Sequence, residues 1–326
     1  MIVTRRGIAR LAAGSATALH APAILAQDTF PNRPIRVLVP FAAGGNSDTM
    51  VRLIQPRMQE FLGQNLVIEN RTGAGGALAA GVVAANPADG HTVLFDAASF
   101  LIAQFVARNL PFDYETAFVP VAMVAELPYI LAVSARSGIR DFAAYLDTAR
   151  LSQDGIPYGT PGVGNTGHLA GALLSYRSGL KMEHVPYRGG AEVARDLAAG
   201  NLPSGYLGGN SLAPALESGR ARAIALTSGE RRGGIEGVPT IAEMGFPGFD
   251  LTSWNAMFCR TGTPEPIRRR LEAAVDHATT DPEVQRRLAA VGTITLPADS
   301  AALGQRLERE RALLRDLIRD TGISFG

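Results

Sequence analysis

Residues 159–171 read GTPGVGNTGHLAG, and Gly162, Gly164 and Gly167 in this stretch spell G-x-G-x-x-G. The stretch follows Ile156-Pro157-Tyr158 and opens into an apolar-periodic segment from His168 to Tyr176, so it joins a strand to a helix. Glu183 stands about twenty residues further on, as the acid of a dinucleotide fingerprint does. The surroundings argue differently. The fingerprint opens its fold and places its acid at the end of the second strand, whereas this loop lies mid-chain and Glu183 begins its strand. Pro161 and Asn165-Thr166 describe instead an anion loop in which Asn165 or Thr166 caps the helix and also donates to a carboxylate. An NAD-dependent oxidoreductase using residues 162–167 is the alternative from another class.

Outward from this loop the chain repeats the same grammar. Strands are predicted at Ile35–Val39, Leu66–Glu69 and Thr92–Phe95. Between them lie a helix from about Thr49 to Leu62 and an Ala-rich helix ending near Ala85. Asp48 is predicted to cap the first helix, and Pro56 to kink or shorten it. Further strands are expected at Val119–Val124, Tyr129–Val133, His184-Val185, Tyr206-Leu207 and Arg222–Leu226. Helices are expected at Arg140–Arg150, Ala191–Ala199 and Leu212–Glu217. The segment from Thr227 to Trp254 is Gly- and Pro-rich, and three helices close the chain at Glu265–Ala278, Pro282–Ala290 and Ala301–Asp320. Repeated βαβ units imply an α/β fold with mostly parallel sheets flanked by helices.

Composition narrows the function. With 31 Lys+Arg against 30 Asp+Glu in 326 residues, the net charge of +1 argues against nucleic acid as a partner. The single cysteine, Cys259, sits in the apolar run after Ala256-Met257-Phe258, reads as a buried small hydrophobe and leaves no disulfide to form. Five histidines, His20, His91, His168, His184 and His277, show no metal-ligand spacing. His168 has no neighbouring nucleophile or acid in a recognisable motif, and neither G-x-S-x-G nor H-E-x-x-H occurs. No catalytic residue, metal or cofactor is therefore assigned, and His168 reads as structural. Residues 1–27 read as an export signal: Arg5-Arg6 lead a mildly apolar Leu11–Ala26 stretch, broken by Gly14, His20 and Pro22, with a cut expected near Gln27. The paired arginines fit a twin-arginine signal, and an ordinary secretory signal fits as well. The mature chain is expected in the periplasm, where a hydride-transfer enzyme finds no ready NAD pool.

Three glycine-rich turns join strands to helices: Phe41–Asp48, Asn70–Gly76 and Gly159–Gly167. Such turns lie at the carboxyl ends of strands, and the free amides at helix starts favour anions. Two lobes presenting them to one cleft would clamp a small organic acid.

Several blocks then converge on one family. These are Phe30–Gly45 with Asp48 and Arg52, Glu69–Gly76, Pro157–Gly162 through His168–Gly171, His184–Gly189, Leu226-Thr227-Ser228 with Arg231, Val238-Pro239-Thr240 with Glu243, and Gly262-Thr263-Pro264. In this order the chain resembles the substrate-binding receptors of tripartite tricarboxylate transporters, the Bug-type periplasmic solute-binding proteins. The resemblance implies a two-lobed, Venus flytrap receptor, with residues 28–126 plus 249–326 as lobe 1 and 127–248 as lobe 2. It implies a small carboxylate held between the lobes, no enzymatic activity, a monomer, and membrane transporter subunits as partners. A sensor serving a signalling protein is the other outlet for the same fold. Family-matched candidates are the Phe41–Gly45 turn, with Phe41, Ala43, Gly44 and Gly45, the turn with Gly75 and Gly76, and Thr160, Gly164, Asn165 and Thr166. Asp48 reads as a helix cap rather than a contact.

Two departures stand out. Gly200-Asn201-Leu202-Pro203-Ser204 lacks an acid the family usually carries there. Asp96, followed by Ala97-Ala98-Ser99, replaces a small or hydroxyl residue. If Asp96 and Ser99 face the cleft, a plain dicarboxylate meets a like charge and an amino-acid-like ligand fits better. The alternative is that Asp96 caps the next turn and never meets ligand.

Overall fold

The computed structural model describes residues 30–106, 109–231, 235–290 and 293–321. The export signal expected at residues 1–27 lies outside these residues. The first elements alternate as their periodicities require: β1 (Ile35–Val39), α1 (Asn46–Leu62), β2 (Leu66–Asn70), α2 (Ala77–Ala85) and β3 (Thr92–Ala97). α1 starts earlier than its sequence suggests, because Gly45 takes the N-cap position and Asp48 falls in the first turn. It also continues past Pro56 to Leu62, so the proline does not shorten it. Arg52, Pro56 and Glu60 share the exposed face, so the carbonyl deprived of its amide donor can be met by water. Met50, Val51, Ile54 and Met58 fill the opposite face.

After the short helices α3 (Ala103–Val106) and α4 (Tyr114–Ala117) comes β4 (Phe118–Ser134), a single strand of 17 residues where two were expected. Its first part pairs antiparallel with β9 (Thr252–Arg260), as far as Pro128 with Thr252. From Tyr129 onward it pairs with β7 (Ser204–Gly208) and β8 (Ala221–Leu226). The prolines are tolerated because they fall at irregularities: the register shifts between Pro120 and Ala122, and Pro128 is where the partners change.

The chain continues through α5 (Phe142–Leu151), β5 (Ile156–Thr160), α6 (Thr166–Ser178), β6 (Met182–Pro186), α7 (Gly190–Ala199) and α8 (Gly209–Glu217), and closes with α9 (Glu265–Thr279), α10 (Pro282–Ala290) and α11 (Ser300–Thr321). The described strands form one path, β2-β1-β3-β9-β4-β7-β5-β6, with β8 beside β4. The sheet is mixed rather than mostly parallel. The outer ladders β1·β2, β1·β3, β5·β6 and β5·β7 are parallel. Every ladder made by β4 or β9 is antiparallel, and β4 pairs first with β9 and then with β7 and β8.

Each half packs helices on both sheet faces. One core joins α1, α9 and α10 to the first half, through residues such as Ile54, Val93, Met257 and Leu271. Phe100, Trp254, Phe258 and Leu307 occupy the opposite face. In the second half Tyr145, Tyr158 and Leu174 pack on one face and Val193, Leu207 and Leu212 on the other. β9 escaped sequence reading because it is buried on both sides and mixes Thr252, Ser253 and Asn255 into its apolar run, so no alternation marks it. Cys259 lies within it as a buried thiol, pushed up to about 12 by desolvation.

Candidate functional site

The three glycine turns lie at the carboxyl ends of β1, β2 and β5. In the first, the Asp48 carboxylate draws the loop inward. It accepts from the Gly44 amide (2.8 Å), from Arg52 Nε (2.9 Å) and from Asn70 Nδ2 (3.0 Å). Burial opposes ionisation of Asp48, yet these three donors hold its carboxyl below its ordinary value. Asn70 Nδ2 also donates to the Phe41 carbonyl at 2.9 Å, so the turns after β1 and β2 form one unit. Asp48 is thus a brace between turns and not the N-cap, and the Gly44 and Gly45 amides are used within the loop, the latter by the Ala42 carbonyl at 3.1 Å.

The second turn crosses into positive φ at Gly73, Ala74, Gly75 and Gly76. Glycine is needed at Gly76: at φ 104° a Cβ would stand 3.3 Å from Pro40 Cβ and 3.8 Å from Asp96 Oδ2. Asp96 itself is 1% exposed. Its Oδ1 accepts from the Ala97 amide at 2.7 Å and from Ser99 Oγ at 3.5 Å, and its Oδ2 has no partner. Burial pushes this carboxyl up to about 7.

In the third turn Asn165 is the N-cap of α6, its Oδ1 accepting from the amides of Gly167 (2.8 Å) and His168 (3.1 Å). Its Nδ2 is spent on the Gly162 carbonyl at 2.6 Å and on Thr160 Oγ1 at 3.3 Å. The amides of Asn165 and Thr166 find no acceptor among the described residues, and they mark the positive end of a helix of 13 residues.

Beneath this loop the rings of His168 and His184 stack 3.7 Å apart, only 10° from parallel. The Gly164 amide donates to His168 Nδ1 at 3.2 Å, and His184 Nε2 lies 2.7 Å from Thr160 Oγ1. Desolvation, and for His168 also the neighbouring His184, lowers their values to about 3 and about 4. Both rings are therefore neutral, as acceptance of the Gly164 amide requires. The unfolded chain protonates them near pH 6.5, so their contribution to stability is intact above that value and is lost as the pH falls toward 4. Between pH 7 and 4.5 the loss attributable to the pair is about 2 kcal/mol, allowing for the partial exposure of His184. Urea titrations at both pH values should show it, and His168→Asn should shrink it. An equal loss in that variant rules the pair out as its source.

The turns meet across a cleft of about 250 Å³. Phe41, Gly75, Gly76 and Ser99 border it from one half of the molecule, and Gly164, Asn165 and Thr166 from the other. Ala43, Gly44, Gly45, Asp96 and Thr160 are not among the lining residues. Asp96 lies beneath Gly76, and Thr160 ties the third loop from inside. Several lining residues escaped sequence reading, among them Ile102, Ala103, Tyr129 and Ser253. Tyr129 and Ser253 come from strands β4 and β9, whose place at the cleft is a consequence of topology. The Gly200–Ser204 segment, between α7 and β7, does not reach the cleft. None of the lining residues is charged. The cleft thus offers amides, hydroxyls and apolar surface, a set suited to orienting a small polar ligand. No cluster of three or more His, Cys, Asp or Glu side chains able to hold a metal occurs among the described residues, and none of their helices is long and apolar enough to cross a membrane.

Known proteins share this architecture. The family model for the tripartite tricarboxylate transporter family receptor matches residues 50–323. The UPF0065 protein in the tcbD-tcbE intergenic region of Pseudomonas sp. (strain P51) is 36% identical, over 96% of this chain and 94% of its own. Rpa4515 of R. palustris, solved with adipate, superposes with a TM-score of 0.79 at 32% identity, covering 90% of this chain and 99% of that one. MatC from Rhodopseudomonas palustris, solved with bound malate, gives 0.75 at 31% identity, over 89% of this chain and 100% of its own. With the family model spanning most of its length and a fold shared with these carboxylate-bound proteins, the chain belongs to the tripartite tricarboxylate transporter family of solute-binding receptors.

Proposed function

We propose that this chain is a periplasmic receptor that captures a small carboxylated ligand in the cleft by lobe closure and delivers it to the membrane subunits of a tripartite tricarboxylate-type transporter. The lobes are residues 28–126 plus 249–326 and residues 127–248, with β4 and the approach to β9 as the crossings. The observation that carries this reading is the pair of unpartnered amides at Asn165 and Thr166, opening on a cleft with no charged lining residue. A ligand carboxylate there takes hydrogen bonds from the helix end without a lysine or arginine salt bridge. Gly164 and the Thr166 side chain complete that wall, and Phe41, Gly75, Gly76 and Ser99 form the opposite one. Ala43, Gly44, Gly45 and Thr160 shape the loops behind. Closure follows because a ligand that touches both walls binds the closed state better than the open one. Bound adipate and malate in the relatives support a carboxylate as the ligand class. The leader at residues 1–27 supports export.

The test is a thermal-shift screen of the mature chain against mono-, di- and tricarboxylates, amino acids and aromatic acids. A ligand at a hundred times its dissociation constant stabilises the folded state by about 2.7 kcal/mol, a rise of several degrees in Tm. Asn165→Ala removes the α6 cap and should weaken that response. A flat screen with every acid at millimolar concentration would overturn the reading.

A further inference from the structure

The two walls of the cleft differ in sign. On the α6 side the helix end is free to meet an anion. On the other side the positive end of α2 lies at Gly76, and directly behind Gly76 stands Asp96, whose Oδ2 is fully buried and unpartnered. An acid behind a helix N-terminus offsets the dipole that would otherwise attract a carboxylate there. Ser99, which borders the cleft, uses its one hydroxyl hydrogen on Asp96 Oδ1 at 3.5 Å. What Ser99 has left for a ligand is lone pairs, so it asks for a donor. No arginine, lysine or histidine among the described residues pairs with Asp96. The groups facing it are the Tyr114 phenol, whose hydroxyl is also unpartnered and whose ionisation burial opposes, and the neutral pair Ser47 and Asn255, the latter 3.5 Å from the Asp96 carbonyl.

We infer that Asp96 is a specificity-determining residue and that the ligand is a zwitterion, its carboxylate against the N-terminus of α6 and its ammonium against Ser99 and Gly76. This rests on the receptor reading above and names its substrate class. A buried carboxyl with one oxygen unsatisfied is a poor structural element, costly to keep where a small neutral residue would pack. Its position behind Gly76, at the edge of the cleft, fits a charge held for the ligand. An ammonium nearby favours the ionised carboxyl. Since burial places Asp96 near neutrality, ligand binding slightly below pH 7 releases part of a proton.

The test is isothermal titration of the mature protein with matched pairs that differ by the ammonium: aspartate and succinate, glutamate and glutarate, 6-aminohexanoate and hexanoate. In at least one pair the amino member should bind about tenfold tighter or better, and both Asp96→Asn and Asp96→Gly should abolish that preference. At pH 6.5 the heats measured in phosphate and in Tris should differ for the wild type and coincide for Asp96→Asn, a signature that a purely structural Asp96 does not produce. If every des-amino acid binds as tightly as its partner or tighter, or the preference survives in both variants, the inference falls while the receptor reading stands. If no acid of any pair and none of the wider carboxylate screen binds, both fall.

Discussion

Asp96→Asn is expected to stabilise the protein at pH 8 by on the order of 3 kcal/mol, with the gain fading as the pH falls toward 4. The carboxyl is 1% exposed and its value is raised from 3.8 to about 7 by desolvation. A raised folded value means the protonated form is favoured in the native state. Stability is therefore complete below the unfolded value near 4 and is lost as the pH rises to about 7, after which the loss is constant. Asparagine keeps the acceptor for the Ala97 amide and carries no charge, so it removes this loss. Its own amide nitrogen is left without an acceptor, which limits the gain. Urea unfolding of both proteins at pH 4.5, 6 and 8 measures the effect. A difference in midpoint that is the same at all three values contradicts ionisation of Asp96 as the cause.

The second large effect lies where the strands cross. Arg306 of α11 donates to Glu126 of β4 at 3.0 Å, to Glu310 at 2.6 Å and to Thr252 of β9 at 2.6 Å. Glu310 also accepts from Trp254 Nε1 at 2.9 Å, and the Thr252 hydroxyl donates to Glu126. Arg306 is 16% exposed and the two carboxylates 12% and 19%. Burial alone would lower Arg306, but the two acids outweigh it; burial raises Glu310 despite the guanidinium. Arg306→Ala leaves two buried acids close together without their cation and should cost about 3–5 kcal/mol. Glu126→Leu/Arg306→Met/Glu310→Met, which removes all three charges, should recover most of that loss. Urea midpoints of the single and triple variants decide it: if the triple variant is as unstable as Arg306→Ala, packing rather than the unpaired charge carries the loss.

This network also shows why part of the molecule was hidden from sequence reading. Arg306 and Glu310 are an i,i+4 pair on α11, but Glu126 and Thr252 lie far from them and from each other in the chain, and no shared motif links the three segments. Burial of an Arg/Glu helix face, which by pattern reads as solvated, is decided by α11 packing over β4 and β9. β9 shows the same limit: a strand buried on both faces has no period to display, and its polar residues are satisfied by partners that only the tertiary structure supplies.

The local grammar was legible because it is local physics. Glycine turns at Gly76 and Gly164 need positive φ, Asn165 caps the helix that follows it, and the apolar stripe of α1 follows a 3.6-residue period. From these the α/β fold could be read, while the receptor family came from the resemblance of whole sequence blocks, and the candidates Phe41, Gly75, Gly76, Ser99, Gly164, Asn165 and Thr166 border the cleft. What only the tertiary structure decided is direction and partnership: that β4 and β9 run antiparallel through the sheet, that Tyr129 and Ser253 reach the cleft, that Asp48 braces two turns instead of capping a helix, and that Asp96 is buried beneath Gly76 with one oxygen unpaired. The reason is that hydrogen-bond satisfaction and desolvation are properties of a neighbourhood assembled from distant segments, whereas turn and helix propensities are set within a few residues.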